Sequence, residues 1–406
     1  MTKRNKKKKP VLQADNELKK LQDGLIQELS EYQNEKNEKF HGIDAREDED
    51  SKRKKIHPLK ILVGILIGIL ILLTIAIATF FVMRFMGKSS LLSKPQSGVA
   101  FSAPEKLKKE VAVDETGGVV YKGQKYQYNE NIINILCMGI DKEIFNEADS
   151  IAAGDSGQAD TLFLITMDTT TGKTKLLSIS RDSMVDVNVY TPKGEYVKTD
   201  NMQICLAYAT GDGKALSCEN TARSVSRLLY GVPVNAYAAI DLTAIGILND
   251  AIGGVEVEVI EDLSQTDPGL KLGERVKLLG QQAETYVRTR DRSHTTGDEA
   301  AESNSKRMER QKQYITSFIG KTISQTKQDI TVPITLFNVA SNYMVTDVTA
   351  PKVAYLASLI VEHGFSETDI LSVPGKASMG ERYAEYRVDQ KALYELILET
   401  FYVKEE

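Results

Sequence analysis

Tryptophan is absent from the 406 residues, and cysteine and histidine are scarce, at three and four copies. Cys137, Cys205 and Cys218 are too few for a disulfide scaffold, and no two have C-x-x-C spacing. His41, His57, His294 and His363 are too scattered for a histidine-rich zinc centre. A hard ion held by oxygens stays open. Nucleotide and hydrolase signatures are missing as well. There is no G-x-G-x-x-G loop and no G-x-S-x-G elbow, and Gly172–Lys173–Thr174 has Met167 where a P-loop starts with glycine. The net charge is −5, and residues 1–60 hold 16 basic against 12 acidic residues, so the remainder is distinctly acidic. An acidic body argues against a nucleic-acid partner, which needs a broad basic face. Any anion must be held by a local basic cluster.

One hydrophobic run dominates what is present. Ile61 to Met83 has 23 residues and no charge. As a helix rising ~1.5 Å per residue it spans a ~30 Å hydrocarbon core. It is too long and too far from the first residue for a cleaved signal peptide. Lys52 to Lys55 and Lys60 precede it, and fewer basic residues follow. The positive-inside bias therefore predicts a cytoplasmic N-terminus and an extracellular remainder at the cell membrane. The expected organisation is a charged cytoplasmic tail over 1–60, a transmembrane helix over 61–83, a stalk over 84–118 and a folded domain over 119–403. Within the tail, 18–40 has helical potential.

Beyond the span, strands and helices interleave without repeats. Val119 to Tyr128 reads as a strand pair turning at Lys122–Gly123, and Ile132 to Met138 as a buried strand. Thr161 to Met167 and Lys175 to Ser180 read as a hairpin-like pair. Helical spacing marks Glu219 to Leu229, Leu242 to Ala251, Ser303 to Gln325, Ala350 to Glu362 and Asp389 to Phe401. Strands follow at Val234 to Ile240 and Val255 to Ile260. The pattern predicts one α/β domain with helices flanking a mixed sheet.

Charged residues at the ends of these elements are the candidates for chemistry. Asp141 follows one buried strand and Asp160 precedes the next, so the two carboxylates can converge on one Mg²⁺ or simply cap turns. Arg181 follows the strand ending at Ser180 and is placed to bind an anion or to pair with Asp182. Arg288 and Arg290 are two apart, on one side of any extended segment. Arg307, Arg310 and Gln311 share a helix face. The cluster suits bidentate phosphate contacts, with ion pairing to Asp291, Glu302 and Glu309 as the alternative.

These residues lie in NILCMGID (134–141), ADTLFLITMD (159–168), KLLSISRDSMV (175–185), GVPVNAYAAIDLTAIGILNDAIGGVEVEV (231–259), LLGQQAETYVRTR (278–290) and RMERQ (307–311). Their order and spacing resemble the LytR-CpsA-Psr (LCP) family of membrane-anchored cell-wall glycopolymer ligases over roughly Tyr121 to Tyr402. The resemblance implies a three-layer α-β-α fold with a central mixed sheet, preceded by one transmembrane helix, and an apolar pocket for a polyprenyl tail. It implies a Mg²⁺-dependent phosphotransferase moving a glycopolymer, of teichoic acid or capsule type, from an undecaprenyl-pyrophosphate carrier to peptidoglycan. Asp160, helped by Asp141, would hold Mg²⁺. Arg181, Arg288, Arg290, Arg307 and Gln311 would grip the pyrophosphate, with Arg310 in the motif but less directly engaged. The chain departs from the family pattern at Gln158 (commonly Arg), Gln203 (Lys) and Asn304 (Asp). The polar insertion 291–303 is expected as a loop near the site. Alternatives are a non-catalytic polyprenyl-phosphate binder regulating wall assembly, or a lipid pyrophosphatase with water as acceptor. Finally, Cys205 and Cys218 flank a polar, glycine-containing loop outside the membrane, which makes a Cys205–Cys218 disulfide the expectation, against three unpaired core thiols.

Overall fold

The structure is a computed structural model that describes residue 27 and residues 58–92, 103–113, 118–141, 157–191, 193–242, 244–290, 298–363, 370–380 and 383–405. Most of the 18–40 stretch and residues 291–297 of the insertion lie outside these. The chain divides into two compact units, residues 1–71 and 72–406. The first contains the start of helix α1 (Pro58–Leu92) and the second its remainder and the folded domain. Pro58 opens α1, where its missing N–H would have had no partner. Leu62–Leu92 is long and apolar enough to cross a membrane. From Leu62 to Val82 the large aliphatic side chains point outward and are exposed, a surface that suits a single membrane anchor. The hydroxyl of Thr79 donates to the Ile75 carbonyl at 2.8 Å, so that polar group needs no water.

The domain is built around six strands in the order β12-β9-β4-β5-β6-β13, flanked by a four-stranded sheet, β1-β2-β3-β16, and three hairpins. In chain order the strands are β1 (Val111–Val113), β2 (Val119–Tyr121), β3 (Gln124–Tyr128), β4 (Ile132–Ile140), β5 (Ala159–Asp168), β6 (Thr174–Ile179), β7 (Met184–Tyr190), β8 (Tyr196–Gln203), β9 (Ala236–Asp241), β10 (Val255–Glu258), β11 (Arg275–Leu278), β12 (Met344–Thr346), β13 (Ile370–Ser372), β14 (Gly375–Met379), β15 (Ala384–Val388) and β16 (Tyr402–Lys404). β4, β5 and β6 form an antiparallel meander, whereas β9 runs parallel to β4 and β13 parallel to β6. The sheet is therefore mixed, as expected. β4 is an almost unbroken apolar run because both of its faces are covered. The β5–β6 turn is set by Asp168, whose Oδ1 accepts the Thr170 and Thr171 amides at 2.8 and 3.1 Å. Gly172 then takes the left-handed φ of +68° that closes it.

The helices of the domain are α2 (Leu206–Ala209), α3 (Ala215–Leu228), α4 (Ala244–Ala251), α5 (Gln281–Arg288), α6 (Asp298–Gln328), α7 (Val332–Ala340), α8 (Ala350–His363) and α9 (Gln390–Phe401). On one face of the sheet, Leu136, Ile140, Leu162, Leu164 and Leu177 share a core with Val225 and Leu228 of α3 and Leu393 and Ile397 of α9. On the other, Ile133, Ile135 and Met167 are buried with Tyr355, Leu356 and Leu359 of α8 and with Leu91. Each such aliphatic side chain contributes about 1.5–3 kcal/mol by leaving water. The result is three layers. Two features differ from expectation near the start of the domain. Helix α1 continues to Leu92 with Leu91 fully buried, and β1 already pairs with β2 inside the segment read as a stalk.

Further along that second face the side chains become small. Cys137, Gly139 and Thr161 lie beside one another at the ends of β4 and β5, where Gly139 pairs with Thr161. A side chain on Gly139 would come within 2.6 Å of Leu242 Cδ2. The small residues leave a gap between the sheet and helices α4 and α6, and the site adjoins it.

Candidate functional site

The gap is an apolar cavity of about 190 Å³. Phe163 forms its floor beside Gly139, Ile245 and Leu248 of α4 form one wall, and Ile315 and Phe318 of α6 form the other. At one end, Thr161 and Gln311 belong both to this cavity and to a polar crevice lined by Asp160, Arg181, Asn304 and Arg307. Gln311 closes the junction by donating its amide to Thr161 Oγ1 at 3.0 Å and to the Val287 carbonyl at 3.2 Å.

Strand ends assemble the crevice. Asp160 sits at the start of β5, and Arg181 emerges just after β6. Because these strands are antiparallel neighbours, the two residues meet. Arg181 Nη1 bonds Asp160 Oδ1, its Nη2 donates to Gln158 Oε1 at 2.6 Å, and its Nε lies 3.6 Å from Asp182 Oδ1. Arg307 of α6 approaches the same carboxylate, with Nη1 at 3.7 Å from Asp160 Oδ2. Arg307 is 7% exposed and its Nε has no hydrogen-bond partner among the described residues. Burial, then the neighbouring Arg181 and Arg290, lowers its pKa to about 10, so it stays charged at neutral pH. Arginines packed this tightly repel one another, and a dense anion would relieve that repulsion.

Asp182 ties the cluster together. It accepts from Gln203 Nε2 at 2.8 Å and from Asn304 Nδ2 at 2.9 Å, and Asn304 Oδ1 in turn accepts from Arg307 at 2.7 Å. Burial raises the pKa of its carboxyl, while Arg181, Arg307 and Arg290 pull the other way. Gln158, Gln203 and Asn304, the three departures from the family pattern, thus converge on the Arg181–Asp182 pair from three distant parts of the chain. Nothing in their separate sequence positions marks that convergence.

Asp141 lies at the exposed end of β4, with Oδ1 accepting the Gln158 amide at 2.6 Å. Among the described residues, no group of three or more His, Cys, Asp or Glu side chains is gathered for a metal. The donors present are the hard carboxylate oxygens of Asp141 and Asp160. These fit Mg²⁺ only if phosphate and water supply most of its shell, the usual arrangement for that ion.

Two of the expected anion ligands are otherwise engaged. Arg288 and Arg290 do not share an extended segment: Arg288 is the last residue of helix α5 and pairs with Glu284 one turn back, while Arg290 lies past the helix end and acts on Asp182 and Arg307. Arg310 is turned into the protein. Its Nε donates to Glu261 Oε2 at 2.8 Å, and its two Nη groups donate to the carbonyls of Tyr286 and Thr289. It fixes the end of α5 rather than facing the crevice.

The expected Cys205–Cys218 bridge is not formed, and all three cysteines are free. Cys205 sits against the crevice, with Sγ 3.5 Å from Arg181 Nη2 and 3.8 Å from Gln158 Oε1. Cys218 is buried in α3. The loop between them is held instead by Ser217 Oγ, which donates to the Tyr208 carbonyl at 2.6 Å and accepts the Gly213 amide at 2.7 Å. Burial pushes the Cys205 thiol up to about 11, away from reactivity. Denatured, unreduced protein should therefore titrate with three free thiols; a count of one would restore the bridge.

Comparison with known proteins adds the following. The LytR_cpsA_psr family model matches residues 97–400. The chain is 25% identical over 285 residues to the polyisoprenyl-teichoic acid–peptidoglycan teichoic acid transferase TagU of Enterococcus faecalis, covering 70% of this chain and 84% of that one. It is 27% identical over 283 residues to the corresponding transferase TagV of Bacillus subtilis, covering 65% of this chain and 64% of that one. A crystal structure of a Streptococcus agalactiae protein, 21% identical, matches with a TM-score of 0.52 over 66% of this chain and 86% of that one, a likeness of fold.

Proposed function

Because this chain belongs to the LytR-CpsA-Psr family, we propose that it is a membrane-anchored phosphotransferase that moves a glycopolymer, of the teichoic acid or capsule type, from a polyprenyl-pyrophosphate carrier to peptidoglycan. The observation that carries this reading is the apolar cavity joined through Thr161 and Gln311 to a buried arginine cluster. An amphiphile with a hydrocarbon tail and a dense anionic head fits that junction, and few other metabolites combine the two. The names of the teichoic acid transferases that the chain resembles agree with it. The domain lies outside the cytoplasmic membrane, following the basic residues before α1.

Arg181, Arg307 and Arg290 hold the pyrophosphate and Gln311 marks where head gives way to tail. An acceptor sugar hydroxyl attacks the phosphorus that bears the glycan, the bond to the lipid-side phosphate breaks, and polyprenyl phosphate leaves. A phosphodiester remains between glycan and acceptor. Positioning and charge neutralisation are most of what such a transfer needs. Asp141, whose Oδ1 accepts the amide of the Gln158 that bonds Arg181, helps position the acceptor hydroxyl or the ion. Asp160 and Asp141 are the residues that would hold Mg²⁺, which when bound supplies charge neutralisation to the phosphates. Arg181 leaves Asp160 for the substrate in this scheme, so the ion pair seen here is the resting arrangement.

Arg290→Ala should weaken binding of a pyrophosphate lipid by about 1.5–3 kcal/mol, roughly 10- to 150-fold in affinity. Arg290→Lys should recover little of that, since an ammonium lacks the planar fork. Equal binding by the lysine variant would show that charge alone matters. The whole reading is tested by incubating the full chain in vesicles with lipid-linked glycan and peptidoglycan. Coupled glycan–peptidoglycan with released polyprenyl phosphate supports transfer. Free phosphorylated glycan instead would make water the acceptor, and tight lipid binding without turnover would make the protein a binder.

A further inference from the structure

Helix α7 is out of keeping with the rest of the domain surface. From Ile330 to Thr346 there are 17 residues without a charge, in a chain that is 26% charged. Of the nine residues of α7 only Ala340 is buried. Val332, Ile334, Phe337 and Val339 are half-buried, and the fully exposed positions carry Thr331, Thr335 and Asn338. Ile330, at the turn into the helix, is 71% exposed, and Ile247 of the adjoining α4 is 42% exposed. Water is a poor solvent for Ile330 and Ile247, and no other described residue covers them.

The neighbourhood says what does. The apolar run of α1 ends at Met83, and the helix continues. Gly87 lies so close to Pro351 at the start of α8 that a side chain there would meet its carbonyl. Leu91 is buried with Tyr355 and Leu356 of the same helix. Helix α8 is therefore reached four residues, about 6 Å, beyond the end of the span, and α8 packs directly on α7. Phe85 and Met86, 74% and 55% exposed, continue apolar surface past the span. Leu336 of α7 packs on the same small core as Ile245 and Phe318, which line the cavity.

We propose that α7, with Ile330 and Ile247, is a membrane-contact surface that rests in the bilayer interface beside the emerging anchor and brings the apolar cavity to the lipid that fills it. The contact goes beyond the transfer reading and does not depend on it: a binder or a pyrophosphatase on this anchor would use it equally.

The absence of tryptophan makes the test clean, because one introduced tryptophan is the sole indole. Ile330→Trp is placed in the full-length chain and reconstituted in phosphatidylcholine–phosphatidylglycerol vesicles with ordinary or brominated acyl chains. Tyr196→Trp on β8, 59% exposed and in the hairpin whose β7 packs on α3 in the opposite layer, is the control. The expected result is blue-shifted emission at position 330 that loses most of its intensity in brominated lipid, with no change at 196. Both replaced side chains are largely exposed, so folding is not at risk. Ile330→Trp as unquenched as the control overturns the proposal. A blue shift without quenching also overturns it, because it would mean a second copy or another protein covers the helix.

Discussion

Asp160→Asn is expected to lower transfer by about 100-fold or more, the scale seen when one preorganised charge contact at a reacting centre is removed. The side chain keeps its shape and loses only its charge, and that charge faces Arg181 on one oxygen and Arg307 on the other. An amide cannot hold both guanidinium groups, nor contribute to Mg²⁺ binding as a carboxylate does. The measurement is the rate of glycan coupling in vesicles across a Mg²⁺ titration, alongside a thermal melt to show the variant is folded. A rate equal to the wild type at every Mg²⁺ concentration would remove Asp160 from the reaction.

Arg310→Met carries the largest expected effect on stability. Arg310 is 1% exposed, and its loss strands three acceptors: the carbonyls of Tyr286 and Thr289 and the Glu261 carboxylate. Removing one partner of a buried pair typically costs about 3–5 kcal/mol, and in a domain of this size that lowers the melting temperature by on the order of 10 °C. Arg307→Met should behave in the opposite way. Arg307 is also buried, but its Nε has no partner among the described residues, and Arg181 and Arg290 crowd it as it shares the Asp160 and Asp182 carboxylates. Its replacement should leave the melting temperature level or raised while binding of the pyrophosphate lipid is lost. If both variants melt alike, the division into a structural arginine and a ligand-gripping one fails. The two arginines of one RMERQ motif would thus have separate duties: one holds the end of α5, and the other waits for a ligand.

That division was not legible in the sequence. Spacing places Arg307, Arg310 and Gln311 on one helical face, and it is silent on which of them meets a carbonyl from another element. The Arg288–Arg290 pair fails similarly: two-residue spacing means one side of a strand, but the segment is the last turn of a helix followed by a break. By contrast, the Asp141, Asp160 and Arg181 positions follow from strand ends alone, because a buried apolar run must stop where the polar residues begin. The sheet strands β4, β5, β6 and β9 were readable for the same reason. The first strand of the β7–β8 hairpin does carry a signal, because Val185, Val187 and Val189 alternate with the polar Asp186 and Asn188. Helix α7 is not legible in VPITLFNVA, which is rich in β-branched residues; packing on α4, α6 and α8 supports it as a helix. The cavity depends on small residues meeting across β4 and β5 beneath α6, a coincidence of register that no linear pattern shows.

The sheet order has a consequence for how the protein is made. Synthesis delivers the chain from the N-terminal end, so α1 and the β4–β5–β6 meander, complete by residue 179, exist long before their partners do. β6 must wait for Ile370 to Ser372, and β3 for Tyr402 to Lys404. Pairings so distant in sequence form slowly, and an apolar strand edge left open in the meantime is an invitation to aggregate. The growing domain therefore passes through a stage in which the free edge of β6 is held at the membrane by its own anchor. Nascent chains stopped before residue 370 should be captured by folding helpers and degraded, whereas those released after residue 404 should resist protease, a sharp threshold in chain length rather than a gradual gain.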